Sequence, residues 1–154
     1  MRRSGYDLAL FVALLSTATA MGPAFAHLLE LPNKIDLAKN DYFIVQQIYR
    51  GWGALGWPLL VQLVSLIVVA LYAGADRRLR KAALVALLCV FGAQALFWIF
   101  TYPANAATEN WTIQPENWRE LRWRWKYSHA GGAILQLVAM ANLIARAIVR
   151  SWQQ

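Results

Sequence analysis

Cysteine is almost missing: Cys89 is the only one, which excludes an intrachain disulfide and a thiolate metal site built from one chain. Charge is scarce as well, at 15% of 154 residues against about 25% in soluble domains. Histidine occurs only at 27 and 129, so any imidazole chemistry rests on those two positions. No low-complexity linker and no internal repeat divides the chain. No apolar run alternates with period two, which excludes a transmembrane barrel, whose strands need inward–outward alternation.

What the chain has is apolar sequence, 59% of it. Four stretches, about 8–31, 53–74, 82–102 and 128–149, each approach the ~20 residues a spanning helix needs. Backbone groups in lipid must be satisfied within the element, so these stretches are helices. The expected fold is all-α: an integral membrane antiparallel four-helix bundle, one domain over residues 1–154, with two interfacial helical extensions on the outer side. Cys89 then falls mid-span as a small buried apolar residue.

The net charge of +7 is distributed unevenly. Arg2, Arg3, Arg77, Arg78, Arg80, Lys81, Arg146 and Arg150 face only Asp7 and Asp76 on one side, whereas the other side balances seven basic against six acidic residues. The positive-inside rule puts both termini and the second loop in the cytoplasm, in a multi-pass protein of the plasma (bacterial inner) membrane. The basic balance thus answers to a lipid bilayer, and nucleic acid is excluded as a partner. A rival reading exists at the N-terminus: Arg2-Arg3, an apolar core and Ala24-Phe25-Ala26 match a signal peptide with its A-x-A cleavage pattern. Cleavage would leave three spans and His27 at the new amino terminus.

Along the chain, Pro23 should bend the first helix and Pro32 should end it. Asn40-Asp41 reads as the capped start of a helix that leads into span two through Tyr42, Val45, Tyr49 and Trp52, with a kink at Gly51, Gly53, Gly56 and Pro58. Span three should end at Tyr102-Pro103. Gln114-Pro115 reads as a cap followed by proline at the first helical position, with Trp118, Leu121, Arg122, Trp125 and His129 on one face of the helix beyond and Trp123 on another. The tryptophans as a group suit the membrane interface. Gln62, Gln94, Gln136 and Asn142 suit hydrogen bonds between helices, and Gly131, Gly132 and Ala133 allow close approach to a neighbour.

One cluster carries the functional question: His27, Glu30, Asn33, Gln46, Arg50, Asn105 and His129. Opposite helix directions bring His27 and His129 to one depth, and ionisable residues in a membrane are function candidates by default. The plain alternative is structural, with Glu30 pairing with Arg50 or His27 bonding a backbone carbonyl. Three chemistries fit the residue types: a histidine general base tuned by Glu30; a two-histidine, one-carboxylate metal site of His27, Glu30 and His129, with Glu109 in reserve; or a haem held by both histidines.

The stretch His27-Leu-Leu-Glu-Leu-Pro-Asn-Lys-Ile and the stretch Tyr42-Phe-Ile-Val-Gln-Gln-Ile-Tyr-Arg-Gly-Trp52 resemble the small four-span membrane family that includes the fungal anthrone oxygenases. Tyr102-Pro-Ala-Asn105, Asn110-Trp111, Trp118-Arg119 and Trp125-x-x-x-His129 are similar to that family's second half. The resemblance runs from His27 to about Ala145 and implies oxygenation of a polycyclic aromatic with no standard organic cofactor. His129 would take a proton from an activated carbon, Asn105 and Arg50 would stabilise the oxyanion, and His27 with Glu30 would form a second acid–base pair. Trp111, Trp118 and Trp125 would wall the pocket, with Gln46 and Asn33 binding substrate. The chain departs from the family after His129, where Ala130, Gly131 and Gly132 stand in place of an arginine that Arg122 or Arg50 would replace. A small hydrophobic ligand, aromatic or quinone-like, is expected. A bis-histidine haem or metal subunit is one alternative, and a non-enzymatic helper docking a membrane partner protein or a second copy (homo-oligomer) is another.

Overall fold

The computed structural model describes residues 3–73 and 76–151; Arg2 and Gly74 lie outside these, as do the side chains of Arg3 and Arg150. All regular structure among the described residues is helical. In chain order the helices are α1 (Arg3–Lys34), α2 (Lys39–Gln46), α3 (Gly56–Tyr72), α4 (Arg77–Leu96), α5 (Tyr102–Ala107) and α6 (Trp118–Ser151). Two 3-10 turns, Gln47–Tyr49 and Trp52–Leu55, join α2 to α3, and a π-helical turn, Phe97–Thr101, joins α4 to α5.

Four segments are long and apolar enough to cross a membrane, at Asp7–Lys34, Trp52–Tyr72, Arg77–Ala107 and Trp118–Val149. Only 28–33% of each apolar window is buried inside the protein, so the remainder needs a lipid partner. Phe11, Leu71, Leu88 and Ile134 point outward accordingly. This is an all-α, multi-pass membrane bundle. Helices α1 and α4 each pack on both α3 and α6, closing a four-membered ring. The start of α1, the end of α6 and Asp76, which pairs with Arg146, share one end. The 35–55 and 108–117 segments share the other, the site end.

Near the terminal end the core is made of small and branched side chains: Ala13, Val69, Ala83, Ala86, Val90, Ala139 and Leu143. Small residues let helix backbones approach where lipid offers no hydrophobic drive. An added Cβ on Gly131 would stand 2.9 Å from Leu96 Cδ1, and one on Gly132 3.9 Å from Ala93 Cβ, so α6 meets α4 at close range there. Gln62 and Gln136 exchange amide bonds at 2.8 and 3.3 Å, and Gln62 also donates to Thr17 at 3.2 Å. Asn142 donates to the Ala82 carbonyl at 2.7 Å. Gln94 joins no such bond among the described residues; it faces a cavity instead.

Several boundaries differ from expectation. Pro32 does not end α1, because proline removes only its own N–H and Ile35 still donates to Leu31 at 3.0 Å. Helix α2 starts one residue before Asn40, with Ala38 at the cap and no side-chain cap bond. The third span continues past Tyr102-Pro103 to Ala107, since proline in a first turn keeps helical φ without needing a donor. Conversely, Pro115 opens a turn only: α6 begins at Trp118, whose N–H donates to the Pro115 carbonyl at 3.2 Å. The expected kink before span two is present, and Gly51 at φ 88° takes the left-handed turn that a side chain would resist.

Candidate functional site

Helix α1 brings His27, Glu30 and Lys34 to the site end on one face, at the i, i+3 and i+4 spacing that stacks side chains along a helix. Opposite them α6 presents Arg122, Trp125, Lys126 and His129 at the same spacing. Antiparallel threading sets the two faces at one level. The imidazole rings of His27 and His129 lie 4.2 Å apart between centroids, tilted by 36°. Trp125 stands edge-on to both, at 5.0 and 4.2 Å, and Tyr49 edge-on to His27 at 4.6 Å.

Behind His27 is a charged knot. Glu30 Oε1 accepts from Lys126 Nζ at 2.8 Å and from His27 Nδ1 at 3.0 Å. Its Oε2 accepts from the Tyr49 hydroxyl and lies 3.5 Å from Lys34 Nζ. Lys34 in turn donates to the Tyr49 hydroxyl at 2.8 Å and sits 4.1 Å over its ring. The Lys126 side chain has no exposure at all. Such a pair holds only with good geometry and further bonds to the remaining lone pairs, which His27 and Tyr49 supply. Burial, reinforced by the Glu30 carboxylate, pushes the Tyr49 hydroxyl above its ordinary value, so it stays a donor. With Glu30 accepting the Nδ1 proton, His27 carries its lone pair on Nε2. His129 has no hydrogen bond among the described residues.

Both rings lie on the wall of a cavity of about 1100 Å³, slightly above the ~300–1,000 Å³ usual for small-molecule sites. It runs from Gln136, mid-bundle, to the 109–112 segment. Asn105 fastens two of its aromatic walls: Oδ1 accepts from Trp111 Nε1 at 3.0 Å and Trp125 Nε1 at 2.9 Å. Glu109, Asn110 and Trp111 take left-handed φ of 48°, 56° and 67° in succession, each costing about 1–2 kcal/mol. The Asn110 N–H donates to the Asn105 carbonyl at 2.7 Å, and that of Trp111 to Thr108 Oγ1 at 3.1 Å. The strained turn folds Trp111 back over the site end.

Gln46 also lines the cavity, is only 2% exposed, and has neither amide atom paired among the described residues. Arg50 lies exposed on the rim, bound to Gln47 Oε1 at 2.8 Å; it does not pair with Glu30, whose cations are the two lysines. Trp118 is buried but faces away from the cavity, stacked 4.7 Å under the Arg122 guanidinium beside Tyr42 and Phe43. Asn33 is exposed on α1 and lies off the cavity wall. The tryptophans do not act as one interfacial group: Trp57, Trp98 and Trp123 point outward, whereas Trp111, Trp118 and Trp125 are buried.

Sequence reasoning passed over Lys34, Lys126 and Tyr49. Lys34 had a signal, four residues after Glu30 on the same face. Lys126 had a weaker one, three residues before His129. Among the described residues no three of His, Cys, Asp and Glu gather in a metal-holding group, Glu109 standing exposed on the rim. Comparison with protein-family models, with curated proteins and with solved structures finds no match to the chain.

Proposed function

We propose that the protein binds a small hydrophobic molecule, aromatic or quinone-like, in this cavity and takes a proton from it, as a cofactor-independent oxygenase of the anthrone oxygenase type. One observation carries the reading: His27, fixed by Glu30 through Nδ1, shares a large cavity wall with His129 at 4.2 Å. A carboxylate that orients an imidazole leaves the second nitrogen as base. His27 Nε2, in place of the His129 expected from the resemblance because Glu30 orients His27 alone, would remove a proton from an activated CH2 beside an aromatic carbonyl. The negative charge then rests on the ring oxygen. The Asn105 NH2, unpaired among the described residues, would donate to that oxygen, and Arg50 supplies positive charge at the rim. Dioxygen meets the carbanion, leaves one atom as the new carbonyl oxygen and departs with the other as water. Trp111 and Trp125 flank the ring system.

The ring spacing favours proton chemistry over haem. Two imidazoles on opposite sides of one iron would hold their centroids roughly 6 Å apart, given about 2 Å for each metal–nitrogen bond. The charge asymmetry of the loops supports cytoplasmic termini, with the site end opening toward the far side of the plasma (bacterial inner) membrane.

The test is dioxygen uptake by the purified protein with an anthrone-type substrate. His27→Ala and Glu30→Gln should each lower the rate about 100-fold or more, the usual scale of a positioned base. Undiminished turnover in His27→Ala removes the mechanism.

A further inference from the structure

The cavity wall is not equally closed on all sides. None of its contributions from α1 and α6 is exposed: Ala20, His27, Trp125, Ser128 and Gln136 are buried, and Pro23, Ala24, His129 and Gly132 are half-buried. Every wall residue that is exposed belongs to one of two facing stretches. One is the segment Arg50, Gly51, Gly53 and Gly56; the other runs from Trp98 through Tyr102, Ala106, Glu109 and Asn110 to Thr112. Both begin at the polar rim, with Arg50 on one side and Glu109 on the other, and both descend into spans, reaching Gly56 at the head of α3 and Trp98 in the π-helical turn. Nothing lies within 4 Å of a Cβ added at Gly51, Gly53 or Gly56, so the first stretch borders open space, not a packed neighbour. The π turn opposite is a place where helix registers shift, often beside functional sites.

We infer that the cavity fills sideways from the bilayer, through the slot between the Arg50–Gly56 segment and the Trp98–Thr112 wall, and that its occupant is a lipid-dissolved aromatic that never passes through water. This rests on the cavity being a ligand site, as proposed above. Outward Trp57 and Trp98, at 72% and 58% exposure, flank the slot with apolar surface that a flat aromatic can follow. At its inner end the Gln46 amide, unpaired among the described residues, offers both a donor and an acceptor, the groups needed to turn such a molecule once it has entered. Three glycines keep the passage wide; Gly51 is required for its backbone, whereas Gly53 and Gly56 have no positive φ and are free for the width.

Carbene labelling tests this on the full chain in vesicles, without any substrate. A lipid-dissolved aryl diazirine is photolysed, and label on Trp125 and His27 is measured by mass spectrometry, with outward Leu88 and Phe91 as controls. The wild type should carry label on both inner residues. Gly53→Trp and Gly56→Trp should each lower it at least tenfold while the outward labelling stays unchanged, which also reports a folded bundle. A water-soluble diazirine should label the inner residues far less than the lipid-dissolved reagent. Inner residues that stay unlabelled from lipid, that label equally in both variants, or that label preferentially from water overturn the slot. Label reaching Trp125 in a protein that binds no anthrone-type compound supports the slot and counts against the oxygenase reading alone.

Discussion

Lys126 Nζ donates to Glu30 Oε1 at 2.8 Å across 96 positions of sequence, tying α6 to α1 at the level of the two histidines. Because the Lys126 side chain is wholly buried, removing Glu30 strands its charge, at about 3–5 kcal/mol for a broken buried pair, whereas removing Lys126 leaves Glu30 beside Lys34. Glu30→Gln should destabilise more than Lys126→Met, since it leaves two buried ammonium groups without their anion. Thermal unfolding in detergent checks the order. Negligible shifts would mean that the knot contributes little, and equal ones would contradict the order.

Asn105 holds Trp111 and Trp125 through a single oxygen. Asn105→Ala unpairs two indole N–H groups at about 1–3 kcal/mol each, whereas Asn105→Asp keeps the acceptor. Near-ultraviolet circular dichroism should change in the alanine variant and survive in the aspartate one. The same spectrum in all three proteins would show that the clamp does not position the rings.

Tyr42 is buried with its hydroxyl unpaired among the described residues, and burial pushes that hydroxyl above its ordinary value. Tyr49 is raised too, by burial and by Glu30. Both folded values exceed the unfolded value of about 10, so the stability tied to the neutral form is fully present below pH ~10 and is lost as pH rises beyond it. Tyr42→Phe should be neutral or stabilising at pH 7, because it removes an unpaired buried group, and should delay alkaline unfolding. A large loss of stability at pH 7 would show that the hydroxyl has a partner.

Gly131→Ala forces a Cβ to within 2.9 Å of Leu96 Cδ1, while Gly132→Ala meets nothing closer than 3.9 Å. Both substitutions gain about 1 kcal/mol of helix propensity over glycine, but the first must also push the tip of the Leu96 side chain aside. The second substitution should therefore give the bundle a higher unfolding temperature than the first, despite their adjacency. Identical behaviour would mean that α4 and α6 do not meet as closely as described.

The four spans were legible because hydropathy reports the lipid-facing surface directly, and Phe11, Leu71 and Leu88 are on it. The meeting of His27 with His129 was legible too, since antiparallel threading alone sets their depth. The partners of Glu30 were not. Its pairing with Lys126 depends on the rotational register of two helices joined by the whole chain, which no local pattern encodes. Trp118 reads like Trp125 along the α6 face, yet one turn of helix separates a stack on Arg122 from the cavity wall. Helix ends failed at prolines for a local reason: at Pro32 and Pro103 the neighbouring donors remained satisfied, and the helix simply ran on.

The most direct measurement concerns proton removal by itself. An anthrone-type substrate is incubated anaerobically with the reconstituted protein in deuterated buffer, and loss of its CH2 protons is followed by nuclear magnetic resonance. Exchange should run well above the buffer rate in the wild type and fall to that rate in His27→Ala, with Glu30→Gln close behind. Exchange at the buffer rate in the wild type, or undiminished in His27→Ala, contradicts the account.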